Sequence, residues 1–442
     1  MEERNGNFKA LIPFLVFAVF YLGFSLYSGD FYCVPMPIAF LVASATALLL
    51  DRKKKLMDKV DIYAKGMGDV NIMIMCLIFI LAGAFASVAK GMGAVDSAVL
   101  IARNLIPDRL LLAGLFFVSC FISLAIGTSC GTIAALTPIA VGLVKPMGIS
   151  PELMLGTVIG GAMFGDNMSM ISDTTIAATR TQCVSMRDKF LANLLLVLPV
   201  ALLVLIIYVI IGRSSCGTEP VAAIKWLDVV RILPYLSILI FALIGVNVMA
   251  LLFFATVFAT LIGLFSGSFP LAKAFGLMGQ GMIGMSETLI VAILAGGLLG
   301  IIRYNGGIKF MLSNIEKRIR SKKQCEFGIA FLVAIVNLFT ANNTVAIVIA
   351  GPIAKELSDK YGCNGRRVAS ILDTISCVVQ GLIPYGAQIL IASGIAKTAG
   401  LQVSSLGLIG HLYYPLFLGV CVLIAILFKC EKKGFFDGLC QN

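Results

Sequence analysis

Runs of about 18 or more apolar residues recur along almost the whole chain, each long enough to cross a bilayer as a helix. ALIPFLVFAVFYLGFSLY (10–27) and LANLLLVLPVALLVLIIYVIIG (191–212) are two of them. Unpartnered backbone groups are too costly in lipid, so only helices or a closed barrel satisfy such a chain. The runs are continuous rather than alternating, which argues against a barrel. The expected fold is all-α, a polytopic membrane protein of about ten to twelve helices. Spans are expected at 10–27, 33–50, 71–90, 108–126, 188–212, 229–246, 247–266, 286–302, 324–350 and 406–429. Two further regions, 127–183 and 366–397, are apolar but interrupted. The start, MEERNGNFK, is polar and acidic and no small-residue cleavage site follows, so the first run reads as a retained helix.

Only 13% of the residues are charged, about half the share in a soluble protein. The net charge of +11 gathers between apolar runs. The segment 51–66 carries Arg52, Lys53, Lys54, Lys55, Lys59 and Lys65, and 303–323 carries Arg303, Lys309, Lys317, Arg318, Arg320, Lys322 and Lys323. Both are expected on the cytoplasmic side, with the tail KCEKKG, as in a multi-pass protein of a bacterial cytoplasmic (inner) membrane. No basic-aromatic motif suggests nucleic acid. The twelve cysteines are scattered singly, one histidine (His411) is present, and no phosphate-binding G-x-x-x-x-G-K-[ST] occurs. Metal, redox and ATP-driven chemistry are therefore not expected, and no cofactor is.

The chain repeats itself. ILAGAFASVAKGMGA (80–94) is similar to LAGGLLGIIRYNGGI (294–308). Gly83 falls on Gly297, Gly93 on Gly307, Gly127 on Ala341 and Pro138 on Pro352, each 214 positions on. GDNMSMIS from 165 then falls on QGLIPYGA from 380, at an offset of 215. The span 71–90 leaves one basic segment and 286–302 enters the other, so the copies are expected to run in opposite senses. The expected organisation is 1–70, N-terminal helices and cytoplasmic loop; 71–212, first copy; 213–285, connecting helices; 286–429, second copy; 430–442, cytoplasmic tail. In such inverted repeats, solutes bind near the midplane, at interrupted helices where the halves meet.

Four segments break the apolar pattern: IGTSCGT (126–132), GDNMSMISDTT (165–175), FTANNTV (339–345) and LDTISCVVQGLIPYGAQ (372–388). Their glycines and Pro384 permit unwinding, and unwound carbonyls with hydroxyls and carboxylates are hard oxygen donors suited to Na⁺. An intramembrane carboxylate costs at least ~2.5–3.5 kcal/mol, so Asp166, Asp173 and Asp373 are functional candidates. Burial favours a carboxyl group's neutral form and a nearby cation its charged form. One carboxylate can then hold a proton or Na⁺, but not both. Asp166 and Asp173 are the expected carrier and Na⁺-holding carboxylates. Thr128, Ser129, Thr132, Asn342 and Asn343 would supply neutral oxygens, Asp373 would line the symmetry-related side, and Asn167, Thr344 and Gln380 complete the candidate set. Structural roles compete. Asp173 could cap a half-helix, Asp166 could satisfy loop amides, Asn342 and Asn343 could join helices, and Thr128, Ser129 and Thr132 could bond their own backbone. Glu287 could be a solvated first-turn residue.

These segments resemble the NhaC-type sodium/proton antiporter family over roughly residues 70–425. IGTSCGTIAALTPIA looks like its G-T-S-x-G-T followed by proline, and FGDNMSMISDTT like its G-D-x-x-S-x-x-S-D-T-T. The resemblance implies that Asp166, Ser169, Ser172, Asp173, Thr174 and Thr175 belong to the ion or substrate site, with Thr128 and Ser129 near it. The chain departs from the family pattern at Cys130, at Met170 and at Ile383-Pro384-Tyr385-Gly386, where an asparagine is missing. The expected function is a secondary active transporter, not an enzyme, that exchanges Na⁺ for H⁺ by alternating access. Its partners are lipid and a small cation, with a homodimer left open. One rival is a Na⁺- or H⁺-coupled carrier of a small carboxylate or amino acid, since relatives implied by the resemblance move organic acids. Another is an intramembrane aspartyl enzyme, which needs two carboxylates sharing a proton.

Overall fold

A computed structural model describes residues 6–28, 35–50, 55–170, 172–212, 222–243, 246–316 and 319–428. Arg52, Lys53, Lys54, Lys317, Arg318 and the tail 430–442 lie outside the described residues, which contain helices and no strand. The first half holds α1 (Ile12–Ser28), α2 (Met36–Leu50), α3 (Leu56–Met67), α4 (Val70–Gly91), α5 (Ala94–Leu105), α6 (Asp108–Ile126), α7 (Ser129–Met147), α8 (Pro151–Met168), α9 (Asp173–Gln182) and α10 (Met186–Gly212). The second holds α11 (Trp226–Leu243), α12 (Val248–Phe265), α13 (Leu271–Gly284), α14 (Ser286–Tyr304), α15 (Gly307–Glu316), α16 (Lys322–Thr340), α17 (Asn343–Tyr361), α18 (Gly365–Leu382), α19 (Ala387–Thr398), α20 (Ser405–Ile409) and α21 (Tyr413–Leu427).

Among the described residues, seven helices or in-line helix pairs are long and apolar enough to cross a membrane. The bent pair of α5 and α6 makes eight if counted as one span, and shorter apolar helices, including α2 and α21, add to these. The expected spans 10–27, 33–50 and 406–429 fall on these shorter apolar helices, so among the described residues the full-length spans are fewer than the helices expected.

The repeat is visible element by element. Helices α16, α17 and α18 begin and end 214 positions after α6, α7 and α8, and α19 begins 214 after α9. The tight turns after α7 and α17 both use a glycine at positive φ, Gly148 (62°) and Gly362 (68°). A hydrogen bond repeats as well: Ser123 Oγ donates to the Ala162 carbonyl, and Asn337 Nδ2 to the Ser376 carbonyl, both at 2.6 Å. The halves exchange partners, α4 packing on α12 and α13 while α14 packs on α2 and α3. Gly83 and Gly297, matched in the sequence, are the contact points. A Cβ on Gly83 would lie 2.4 Å from the Gly281 carbonyl oxygen, and one on Gly297 would lie 2.5 Å from the Tyr63 ring. Small residues allow such close helix approach.

Contacts fix the directions. A Cβ on Gly161 would meet Ser119 and one on Gly165 would meet Ser123, so α6 and α8 run parallel. Helix α7 therefore returns between them, and α6–α7 is a hairpin with its tip at Gly127–Thr128. By the repeat, α16–α17 is a second hairpin, with its tip at Ala341–Asn342. In α9 and α17, the starting residues Ser172 and Asn343 both bond Asp166. Further along, Gln182 donates to the Gly351 carbonyl, so α9 and α17 are parallel. Helix α18 turns back from α17, and continues in line with α19 across a break at Ile383–Gly386. Helix α19 thus opposes its counterpart α9. The copies are inverted.

Three expectations change in detail. The run 324–350 is two helices, because Ala341 takes a left-handed conformation (φ 47°) and Asn342 an extended one. The basic segments are partly helical, as α3 and α15. Helix α3 is held by Tyr63, whose hydroxyl bonds Ser44 and the Leu294 carbonyl. The offset stays 214 through the second pair of breaks, since both preceding turns have equal length, so Asp166 (not Gly165) corresponds to Gln380.

At the first hairpin tip Gly127 (φ 72°) occupies the conformation that Ala341 adopts in the second. A left-handed residue with a Cβ carries roughly 1–2 kcal/mol of strain, and glycine adds about 0.4–1 kcal/mol of unfolded-state entropy. Ala341→Gly is therefore expected to stabilise the protein by no more than about 1 kcal/mol, seen as a raised unfolding midpoint in detergent. A fall of several degrees would contradict the strain.

Candidate functional site

The two hairpin tips and the break between α8 and α9 meet at one carboxylate, and the second broken helix joins them through Ser129. Asp166 lies in the last turn of α8, 5% exposed. Its Oδ2 accepts from Ser129 Oγ (3.0 Å), at the first tip, and from Asn343 Nδ2 (3.3 Å), at the second. Its Oδ1 accepts from Ser172 Oγ (2.7 Å), across the break between α8 and α9, and Ser172 Oγ also meets Thr174 Oγ1 at 2.7 Å. From Ser129 the network continues. Gln388 Nε2 donates to Ser129 Oγ (3.1 Å), and Gln380 Nε2 donates to Gln388 Oε1 and to the Ala341 carbonyl, both at 2.9 Å. All four polar interruptions are thereby joined, two from each half.

Behind this network lies a buried ion pair. Lys189, near the start of α10, is 1% exposed, and its Nζ is 2.8 Å from Asp373 Oδ2. It also donates to the Asn167 carbonyl (2.8 Å) and to Thr175 Oγ1 (2.7 Å). Asn193, one turn on, donates to the Asn167 carbonyl (2.8 Å) and to Asp373 Oδ2 (2.7 Å). Asn167 Nδ2 donates to the Tyr414 hydroxyl (2.9 Å), and Thr175 Oγ1 to the Ser169 carbonyl (2.7 Å). The ammonium thus pins both sides of the α8–α9 break to the opposite half. It sits in a ring of three oxygens, as a bound cation would.

The site is rich in acceptors. Asn167 Oδ1, Asn193 Oδ1, Asp373 Oδ1 and Gln380 Oε1 are buried without a hydrogen-bond donor among the described residues. Buried polar atoms normally find partners, so this interior suits a cation or water better than an anion. Serine and threonine hydroxyls both donate and accept. Those of Ser129 and Ser172 donate to Asp166 here, and by rotating can offer lone pairs to a cation beside it.

Several candidates lie elsewhere or are otherwise engaged. Asp173, in the first turn of α9, is exposed and makes no hydrogen bond or ion pair among the described residues. It does not join Asp166, so the two do not form a single carboxylate pair. Asn342 caps α17 by accepting from the Val345 N–H (3.0 Å). Thr132 bonds back to the Thr128 carbonyl (3.1 Å), and Thr128 is the half-buried cap residue of α7. Thr344 is half-buried beside the second tip, and Ser169, buried, ends α8. Glu287 pairs with the exposed Lys397. Asp166 and Asp373 share no hydrogen bond, and Asp373 is held by Lys189, so the arrangement that a shared-proton enzyme needs is not formed by these residues. Sequence reasoning missed Lys189, Asn193 and Gln388. Lys189 was hidden because a lysine at a span's edge reads as a loop charge, although Asn193 four residues on marks a polar face. Gln388 was signalled by its place 214 positions after Thr174.

A family model described as the Na⁺/H⁺ antiporter family matches residues 8–213 and 218–430. The chain is similar to the Na⁺/H⁺ antiporter NhaC of Bacillus subtilis (strain 168), 26% identical over 90% of this chain and 92% of that protein. It is also similar to the malate-2H⁺/Na⁺-lactate antiporter of the same organism, 24% identical over 88% of each. Among solved structures it is similar to the YdaH transporter of Alcanivorax borkumensis, 14% identical with a TM-score of 0.41 over 79% of this chain and 84% of that one.

Proposed function

The chain belongs to the Na⁺/H⁺ antiporter family, and from that membership we propose that it exchanges Na⁺ for H⁺ across a bacterial cytoplasmic membrane, with Asp166 as the carrier. The observation that carries this is the position of Asp166: one buried carboxylate, bonded by hydroxyl or carboxamide groups of both inverted halves, with no cationic side chain of the described residues in its hydrogen-bonding shell. A bare carboxylate is expensive away from water. Either Na⁺ or a proton must neutralise it before the halves rock past it, and each excludes the other. Serine hydroxyls from the tip and the break give Na⁺ the neutral oxygens it requires. Because both hairpin tips touch the site, a movement of one half against the other alters which side reaches it.

Asp173 serves as part of the approach. It lies seven residues before Arg180 in α9, both are exposed, and seven residues is two helical turns, so both side chains share a face. Charges on that face are tolerated where it is wetted rather than lipid-facing.

Purified protein in liposomes with an internal pH indicator tests the proposal. A Na⁺ pulse is expected to move protons, and malate, lactate or arginine without Na⁺ to move none. Because the ligand must be deprotonated to bind Na⁺, the apparent Na⁺ affinity should fall by up to about tenfold for each unit of acidification. Affinity independent of pH would mean that the two ions do not compete for one carboxylate.

A further inference from the structure

Asp166 has a counterpart in the second half. The offset of 214 places Gln380 there, in the last turn of α18 as Asp166 is in the last turn of α8. Asn343 likewise stands where Ser129 does, and Gln388 where Thr174 does. The second half therefore builds the same kind of pocket with a neutral carboxamide at its centre. Gln380 is 1% exposed and spends its Nε2 on the Ala341 carbonyl and Gln388 Oε1. The other buried carboxylate of the cluster, Asp373, is already neutralised by Lys189. That pair has no counterpart in the repeat, since Val403 and Ile159 occupy the related positions.

Resting on the exchange reading, we propose that the site carries one exchangeable positive charge, so that one Na⁺ is exchanged for one H⁺ with no net charge moved, and that Gln380 and Lys189 set this number. Asp166 is the only carboxylate of the cluster without an ion-pair partner among the described residues. Loaded with Na⁺, the cluster is neutral overall, counting Asp166⁻, Na⁺, Asp373⁻ and Lys189⁺. Loaded with a proton on Asp166, it is neutral again. Both crossing states carry the same charge, so the membrane potential does no work on the exchange. Gln380 fills the position at which a second carboxylate would hold a second ion. Lys189 fills the other anionic pocket with a cation that cannot leave.

The test uses the full chain in proteoliposomes, with potential set by K⁺ and valinomycin and the Na⁺ and pH gradients varied independently. Net proton movement is expected to stop when the two gradients are equal, at every imposed potential, with a Hill coefficient of one for Na⁺. If a net charge moved per cycle, the balance point would shift tenfold in gradient for about every 59 mV, and that shift would overturn the proposal. Gln380→Glu turns both former donor contacts into oxygens facing a carboxylate, which needs a cation. It is expected to raise the Hill coefficient towards two, and a coefficient that stays at one in an active variant overturns the role of Gln380. A Gln380→Glu protein that fails to insert leaves the wild-type balance point to decide the stoichiometry. Absence of Na⁺-driven proton movement in the wild type overturns the exchange reading itself, whereas a potential-dependent balance point overturns only the stoichiometry.

Discussion

Asp166→Asn is expected to reduce Na⁺-driven proton movement to the level of protein-free liposomes, while the protein still inserts in normal amounts. Asparagine keeps the size of the side chain and one acceptor oxygen. Its amide donors face Ser129 or Ser172, whose hydroxyls can turn to accept, so folding should lose little. The loss falls on function: a carboxamide neither takes up a proton near neutral pH nor supplies a charge to Na⁺. Asp173→Asn is the contrasting variant. Asp173 is exposed and bonds nothing among the described residues, and surface changes of this kind usually alter stability within ±0.5 kcal/mol. Because Asp173 bonds no member of the Asp166 network, Na⁺-driven exchange is expected to persist in this variant, with ion access as the step it can slow. The comparison separates one carrier carboxylate from two. Equal loss in both variants would restore the paired arrangement, and exchange surviving in Asp166→Asn would remove the carrier role altogether.

The second large effect concerns Lys189 and Asp373. Their side chains are 1% and 0% exposed and 2.8 Å apart. Removing one member of a buried pair strands the other charge, at about 3–5 kcal/mol. Lys189→Met leaves the Asp373 carboxylate with Asn193 as its donor among the described residues, and Asp373→Asn leaves an ammonium with neutral acceptors alone. Each single change is expected to lower the unfolding midpoint in detergent substantially. The double variant Lys189→Met/Asp373→Asn should recover most of the loss, because replacing both members of such a pair is often close to neutral. The cycle reads this as a coupling energy of several kcal/mol, against typical values of about 0.5–3 kcal/mol for residues in contact. Additive single effects would show that the pair does not hold the break together. The single changes should also disturb exchange, since Lys189 bonds both sides of the α8–α9 break.

Local pattern made much of this molecule legible. Continuous apolar runs dictate helices, since lipid satisfies no backbone group, and most expected spans coincide with α1, α2, α4, α6, α10, α12 and α14 to within a few residues. The polar interruptions are where the helices break. What the pattern did not separate was a carboxylate that faces the cluster from one that faces away. Asp166 and Asp173 sit in the same short segment and have the same chemistry. Their roles part because Asp166 ends α8 against the hairpin tips, while Asp173 begins α9 on its open face. The run 324–350 shows the same limit: FTANNTV marks a polar break, but Ala341 does not by itself announce the left-handed turn that the inverted copy makes with Gly127.

The sequence by itself determined the fold class, the repeat and the four places where oxygen-rich backbone interrupts the helices, because these follow from local hydropathy and from a fixed spacing along the chain. Only the tertiary structure decided which residues share one site. Ser129, Asp166, Asn343 and Gln388 are joined by inverted halves, and Lys189 reaches Asp373 across 184 positions of chain. Such contacts depend on the direction and register of packed helices, and no local rule of composition or period contains either.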